Sequence, residues 1–152
     1  MSIYVKFGHI NGDATLDGHA GWVAADSFGW SGGARAAQTA ANQRQSRVAF
    51  QPAVVGKKVD SATALLMQTM AHNQTLEQVS VRFVNAALSA DEELVCEIIF
   101  SNARVTDINY AATDSIMGET VAINFEEFEV TYYDTETGSG QHSFSHQLRP
   151  SG

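Results

Sequence analysis

Residues 119–132 read ETVAINFEEFEVTY, and this stretch decides the fold class. Apolar and polar residues alternate along it, which is typical of a strand with one buried face. The apolar positions are Val121, Ile123 and Phe125 and then, on the opposite parity, Phe128, Val130 and Tyr132. The parity changes at Glu126-Glu127, which we interpret as a β-bulge that carries one extra residue.

The alternation extends outward in both directions from this stretch. It predicts strands at residues 3–7, 22–30, 48–50, 79–83, 94–100, 103–110 and 142–148. In the second of these strands, the residues of one parity are apolar except for Asp26; the apolar ones are Trp22, Ala24, Phe28 and Trp30. Pro52 continues the run that begins at Val48 and indicates an edge position or a bulge, because proline donates no ladder hydrogen bond.

A single helix interrupts the strands. Asp60 or Ser61 suits its N-cap, and it is expected to end near His72-Asn73. The residues expected on its apolar face are Ala62, Leu65, Leu66, Thr69 and Met70. Several short strands with one helix favour a mainly β fold: a small β-barrel of two packed antiparallel sheets with one flanking α-helix.

Residues 31–46 have no apolar stripe. Ser31-Gly32-Gly33 breaks the preceding strand, and Ala, Gln, Asn, Thr and Arg dominate residues 34–46. We predict a long loop, and loops of this length in a compact domain are usually functional or disordered. Residues 1–149 are expected to form one domain, with residues 150–152 as a tail outside it.

Charge and composition exclude several classes of function. The chain of 152 residues has a formal net charge of -8, so it gains nothing from neutralising phosphates, and neither nucleic acid nor an anionic membrane surface is an expected partner. Cys96 is the only cysteine and is expected to be a small core residue. No secretory signal or membrane-length apolar run is visible, which predicts synthesis and folding in a cytoplasm.

Candidate catalytic and metal-binding groups are few. His9, Asp13, Asp17 and His19 cluster in one predicted turn, yet aspartates and glycines are more often there for turn geometry. His142 and His146 fall on a strand, where four residues span about 13 Å, too far for one metal ion. We therefore expect no metal, no cofactor and no enzymatic activity.

Three other patterns favour packing or surface roles over chemistry. The glutamates at 92–93 and 126–129 read as a solvated surface rather than as a glycosidase pair. The sequence Gly29-Trp30-Ser31-Gly32-Gly33 lacks the helix that comes after a serine elbow. Trp22, Phe28 and Trp30 could stack on a base or a sugar, but their spacing is simpler to explain as core or interface packing.

Four stretches, taken in order, resemble the haemolysin-coregulated protein family, Hcp, of type VI secretion systems. The first is Ile3-Tyr4-Val5-Lys6-Phe7 with Gly12-Asp13 and Asp17-Gly18-His19, and the second is Val23 through Ser27-Phe28-Gly29-Trp30. The third is Lys57-Lys58-Val59-Asp60-Ser61-Ala62-Thr63-Ala64-Leu65-Leu66, which is similar to the entry to the family's helix. The fourth runs from Val105 to Tyr110 and then from Glu119 to Tyr132. Ala64 departs from the usual helix proline, and Asn73 from the usual glycine after the helix, but Asn tolerates a left-handed cap.

The resemblance implies a tube subunit. Six copies would form a ring, rings would stack into a hollow tube, and the tube would carry effector proteins and be expelled by a contracting sheath. The implied partners are other copies of the chain, sheath proteins, a spike protein at the tip, the baseplate and effectors in the lumen. The protein would be cytoplasmic when assembled and secreted without a signal peptide. Within the predicted loop, the residues assigned to ring stacking are Gly32, Gly33, Arg35, Gln38, Asn42, Gln43 and Arg44.

Other classes of function stay open at this point. A tail-tube subunit of a phage-like contractile injection machine would share the barrel and the ring. A small-molecule or carbohydrate-binding β-barrel would use Trp22, Phe28 and Trp30. A hydrolase would be built on Asp13, Asp17 and His19.

Overall fold

The computed structural model describes residues 1–35, 47–86, 92–134 and 140–148. Antiparallel strands dominate this part of the chain. They are β1 (Ser2–Phe7), β2 (Val23–Gly29), β3 (Gly32–Arg35), β4 (Arg47–Phe50), β5 (Ala53–Lys58), β6 (Leu76–Ala86), β7 (Glu92–Ala112), β8 (Met117–Asn124), β9 (Glu127–Asp134) and β10 (Gly140–Gln147), with the helix α1 (Thr63–Ala71) between β5 and β6. The strand predictions are confirmed in outline.

Eight of these strands form one sheet in the order β10-β9-β7-β6-β1-β2-β5-β8. A further pairing of β7 with β8 closes six of them into a barrel, while β9 and β10 extend from β7 as an open hairpin. Within the described ranges, β3 and β4 pair only with each other, in a second, two-stranded sheet. The predicted class, a small antiparallel β-barrel with one flanking helix, is confirmed.

The long strand β7 corrects two predictions at once. The alternation predicts separate strands at residues 94–100 and 103–110, but both belong to this one strand of 21 residues. Its first half pairs with β9 and its second half with β8. A single long strand can therefore serve both as a wall of the barrel and as the support of the outer hairpin.

The bulge predicted at Glu126-Glu127 is wrong. The chain leaves the ladder at residues 125–126, so that β8 and β9 are two strands, and their register against β7 is the same on both sides of the break. Opposite the break, Asn102 of β7 has a φ of 52°. At this corner of the barrel, β7 and the chain that runs from β8 into β9 both change the face that they turn toward the core. Asn102 Nδ2 donates a hydrogen bond to Glu126 Oε2 there, over 3.2 Å.

A bulge does occur in β2, at Asp26, the polar residue that interrupts the apolar alternation of this strand in the sequence. The register against β5 shifts between Ala25 and Ser27, so Asp26 is an inserted residue. The insertion separates Trp22 from Phe28 and Trp30, which share its parity in the sequence. Phe28 and Trp30 pack against the core, whereas Trp22 lies near Arg82 on another face.

The helix agrees with its prediction at most positions, but its N-cap is Ala62 rather than Asp60 or Ser61. Ala62, Leu66 and Thr69 are buried and Met70 packs against the core, but Leu65 is exposed, contrary to expectation. Asn73 has a φ of 50° and ends the helix in the left-handed conformation. Its N–H and that of Gln74 donate to the carbonyls of Met70 and Thr69, which satisfies groups that the helix end would otherwise leave unpaired.

No helix among the described residues has the length and apolar character needed to span a membrane.

Candidate assembly surfaces

An aromatic cluster anchors the two-stranded sheet β3–β4, called the arm below, to the barrel. Phe50, at the end of β4, lies with its ring centroid 5.6 Å from that of Trp30 and 4.9 Å from that of Phe128. Trp30 in turn meets Phe100 edge-on at 5.1 Å. Ring contacts of this kind add to the burial of apolar area, so the root of the arm is fixed to the core.

The arm corrects the prediction of a continuous loop over residues 31–46. Gly32–Arg35 is a strand that pairs with Arg47–Phe50, so the segment begins as a hairpin. Gly32 faces Phe50, and a Cβ at Gly32 would lie 2.6 Å from that ring, which explains why glycine is needed there. Arg35 pairs in register with Arg47. The predicted stacking residues Gln38, Asn42, Gln43 and Arg44 lie outside the described residues.

The arm is exposed beyond its root. Gly32, Gly33, Ala34 and Ala49 are exposed, and Val48 has 58% of its surface accessible. A single exposed apolar residue is ordinary on a protein surface, so Val48 by itself does not mark a contact.

The open hairpin β9–β10 provides a second uncovered surface. Among the described residues, β10 is the last strand of the sheet and pairs with β9 alone, so in that part of the chain its outer edge carries backbone groups without a ladder partner. On the face that continues the core, Tyr132 is 49% and Phe144 is 61% exposed. A free edge next to exposed aromatics is suited to pairing with another chain.

A buried ion pair lies near one end of the barrel. Lys57 of β5 and Glu119 of β8 are each 1% exposed, and Lys57 Nζ contacts Glu119 Oε1. The same ammonium donates to Asp60 Oδ1 over 2.7 Å and to Thr63 Oγ1 over 3.3 Å, both at the start of α1. The pair therefore holds the beginning of the helix against the barrel.

Tyr110 lies opposite Glu119 in the ladder. Partial burial, followed by the charge and hydrogen bonding of Glu119, raises the pKa of its hydroxyl. Because the phenol stays neutral at physiological pH, it adds no charge to this end of the barrel.

The residues proposed for metal or acid–base chemistry do not converge. His19 stacks on Tyr4 at 4.5 Å and meets Trp22 edge-on at 5.3 Å. Asp13 Oδ2 accepts from the backbone N–H of Ser61 over 3.4 Å. The described part of the chain has no group of three or more His, Cys, Asp or Glu residues that could hold a metal ion.

The other residues that the sequence analysis considered for catalysis or metal binding have structural roles. The described part of β10 includes the backbone of His142 and His146, which pair with Tyr132 and Phe128, so their strand assignment is confirmed. Ser31 precedes a strand rather than a helix, which removes the serine elbow. Arg82 Nε donates to Glu97 Oε2 over 2.6 Å while its guanidinium lies 4.6 Å from the centre of the Trp22 ring.

Trp22, Phe28 and Trp30 do not form one binding platform. Phe28 contacts Phe83 and Phe100, whereas the contacts of Trp22 are with His19 and Arg82. The packing interpretation is therefore confirmed for Phe28 and Trp30, which pack against the core, whereas Trp22 lies outside the core cluster.

Sequence reasoning missed the Lys57–Glu119 pair and the exposed aromatics of the outer hairpin. Lys57 and Glu119 stand at core parity with Val55 and Val121, and a charged residue at such a position signals a buried pair. Nothing comparable marks Phe144, because its exposure depends on which strands cover β10.

The architecture of this chain matches known structures over almost its whole length. A type VI secretion system effector from Yersinia pestis is similar with a TM-score of 0.77 and 16% identity, covering 95% of this chain and 98% of that one. Hcp1 from Salmonella typhimurium gives a TM-score of 0.81 and 16% identity, covering 97% and 94%. Secreted Hcp3 from Pseudomonas aeruginosa gives 0.72 and 15%, covering 98% and 99%. At such identities the likeness establishes the fold.

The family is established by the sequence itself. Residues 4–132 match the family model described as type VI secretion system effector, Hcp. The chain belongs to the Hcp family. Hcp proteins are structural tube proteins rather than enzymes, and they are oligomeric and secreted. The comparison with curated protein sequences gave no match.

Proposed function

We propose that this Hcp protein forms hexameric rings that stack into the inner tube of a type VI secretion system. The unpaired edge of β10 beside exposed Phe144 is the observation that carries the proposal. A ring of identical subunits needs two different complementary patches on each copy, and an open sheet edge is suited to one of them. Membership of the Hcp family supports a tube, and the free edge supports a contact between subunits.

The tube would carry effector proteins in its lumen and leave the cell when the sheath contracts. Its partners would be the sheath, the spike protein at the tip, the baseplate and the effectors. The protein would reside in the cytoplasm when assembled and would be secreted by expulsion. The formal net charge of -8 supports the solubility of a protein present at high concentration.

Solution mass and electron microscopy test the ring. Light scattering should give a species of about six times the chain mass of 16.4 kDa, and negative stain should show hollow rings. A stable monomer at high concentration with no rings would refute the proposal.

Within the arm and the segment that it leads into, we propose that Gly32, Gly33, Arg35, Gln38, Asn42, Gln43 and Arg44 act in ring stacking. Deleting Ala36 to Gln43 should leave the ring mass unchanged and abolish tubes in negative stain. Loss of the rings themselves would assign the segment to folding or to the ring contact instead.

A further inference from the structure

The loop that joins β1 to β2, residues 8–22, contains a chemically unstable pair of residues. Asn11-Gly12 is the only Asn-Gly sequence in the chain. In such a pair the backbone nitrogen of the glycine can attack the side-chain amide carbon of the asparagine, because glycine has no Cβ to hinder the approach. Asn11 is exposed, so water reaches the pair. The loop therefore has the chemistry for a spontaneous modification.

The fold needs both residues of this pair. A Cβ at Gly12 would lie 2.6 Å from the carbonyl oxygen of Trp22 and 2.8 Å from the Cα of Val23, so only glycine fits there. Asn11 is used through its side chain, because its Oδ1 accepts from Lys6 Nζ over 2.7 Å. Replacing either residue to remove the unstable pair would thus disturb the loop.

Lys6 holds the two ends of the loop together. Besides Asn11 Oδ1, its Nζ donates to the carbonyl of Ile10 over 3.0 Å and to the carbonyl of Gly21 over 3.2 Å. An ammonium group has three N–H donors, and these three oxygens use all of them. Since Ile10 begins the loop and Gly21 is near its end, one side chain keeps the loop closed.

The closed loop blocks the attack. The N–H of Gly12 donates to the carbonyl of Gly21 over 2.8 Å. The nitrogen must lose this proton and turn toward the amide carbon of Asn11 before it can react, and it does neither while the hydrogen bond holds. The amide itself is held in place by Lys6. Reaction therefore requires local opening of the loop.

We propose that Asn11 is a deamidation site that the fold keeps latent, and that Lys6 sets its rate by holding the loop closed. In the open loop, the nitrogen of Gly12 gives its proton to water and bonds to Cγ of Asn11. The side-chain nitrogen takes a proton from water and leaves as ammonia, so that a succinimide ring forms. A water molecule then opens the ring to aspartate or isoaspartate.

The modification would reach the start of α1. The carbonyl of Asn11 accepts from Ser61 Oγ over 3.3 Å, and Asp13 Oδ2 accepts from the N–H of Ser61 over 3.4 Å. Isoaspartate adds one methylene to the main chain at position 11, so the loop cannot keep its bond from Gly12 to Gly21 and both contacts with Ser61. Modified protein should therefore exchange the amide hydrogen of Ser61 faster than unmodified protein.

Peptide mapping by mass spectrometry tests the proposal on the full chain. Folded protein should deamidate Asn11 at least about tenfold more slowly than protein in urea, because attack requires the loop to open. In native buffer, Lys6→Met should deamidate several-fold faster than the parent protein. Lys58→Met is the matched control, because it removes an exposed cation outside this loop, and it should keep the parent rate.

Gly21→Ala gives an independent measurement that leaves Lys6 and the reacting pair intact. Gly21 has a φ of 82°, and a Cβ there would lie 3.3 Å from Asn11 Oδ1, so the variant should loosen the loop and also speed deamidation. It decides the question if circular dichroism shows that Lys6→Met does not fold.

Three results would overturn the proposal. Equal rates in native buffer and in urea would show that the fold does not protect Asn11. A folded Lys6→Met protein that deamidates at the parent rate would remove Lys6 from control of the loop. A slower rate in that variant would mean that the ammonium activates the amide instead of restraining it.

Discussion

At the scale of single residues, Lys57 and Glu119 show how the barrel tolerates two charges in its interior. Each is removed from water, and each retains polar partners at the start of α1. Their attraction offsets the loss of hydration only while both are present.

Lys57→Met should therefore lower the free energy of unfolding by about 3–5 kcal/mol, because the Glu119 carboxylate is left buried without its cation. The double variant Lys57→Met with Glu119→Leu should lose less than Lys57→Met alone. Urea unfolding at a fixed protein concentration measures both. A double variant as unstable as the sum of its single changes would contradict this account.

Cys96 illustrates how its surroundings control a reactive group. Burial and then the charge of Glu97 raise the pKa of its thiol above the ordinary 9.0. The thiol therefore stays protonated near neutral pH, and the thiolate that reacts with disulfides is scarce.

Disulfide reagents should label Cys96 more slowly in the native protein than in urea, and the native rate should level off at a pH above 9.0 and above the plateau of the unfolded chain. The folded state favours the protonated thiol, so its contribution to stability is complete below the unfolded pKa and lost as pH rises through the higher folded value. A native labelling midpoint at or below that of the unfolded chain would contradict the assignment.

At the scale of elements, the corner at Asn102 decides how β7 serves two partners. Positive φ is costly for residues other than glycine and least so for Asn and Asp. The break at residues 125–126 faces it, so the hairpin changes face without losing register.

Asn102→Val should lower the free energy of unfolding by roughly 1–3 kcal/mol, since a β-branched residue is strained at this φ. Asn102→Gly keeps the backbone free and removes only the exposed hydrogen bond to Glu126, so its loss should be smaller. Thermal unfolding followed by circular dichroism compares the two, and equal losses would show that the backbone conformation is not the cause.

At the scale of the whole molecule, the barrel leaves uncovered surfaces in several places. Phe144 is among the most exposed large apolar side chains described, and it stands on the open hairpin rather than over the closed barrel. A monomer gains little from such a residue, whereas a subunit contact would bury it.

Phe144→Ser should reduce the assembly to monomers in light scattering while the far-ultraviolet circular dichroism spectrum stays unchanged. Val48→Ser is the matched control, because Val48 is 58% exposed against 61% for Phe144 but lies on the arm. Val48→Ser should keep the ring mass. Rings that persist in Phe144→Ser would place the subunit contact elsewhere.

The sequence by itself determined most of the strands and the helix, because these depend on periodicity along the chain. Val121, Ile123 and Phe125 show their shared face without reference to any other strand. The left-handed conformation of Asn73 could likewise be expected from the sequence, because asparagine tolerates a positive φ.

Only the tertiary structure decided what each face meets. The break between β8 and β9 resembles a bulge in the sequence, because both alter parity in the same way along one strand and differ only in the pairing with β7. The arm resembles a loop in the sequence, because Gly32–Arg35 carries no apolar alternation and becomes a strand through its ladder to Arg47–Phe50. Exposure of Phe144 likewise depends on neighbours distant in the sequence, since burial is a property of the contacts that the fold creates.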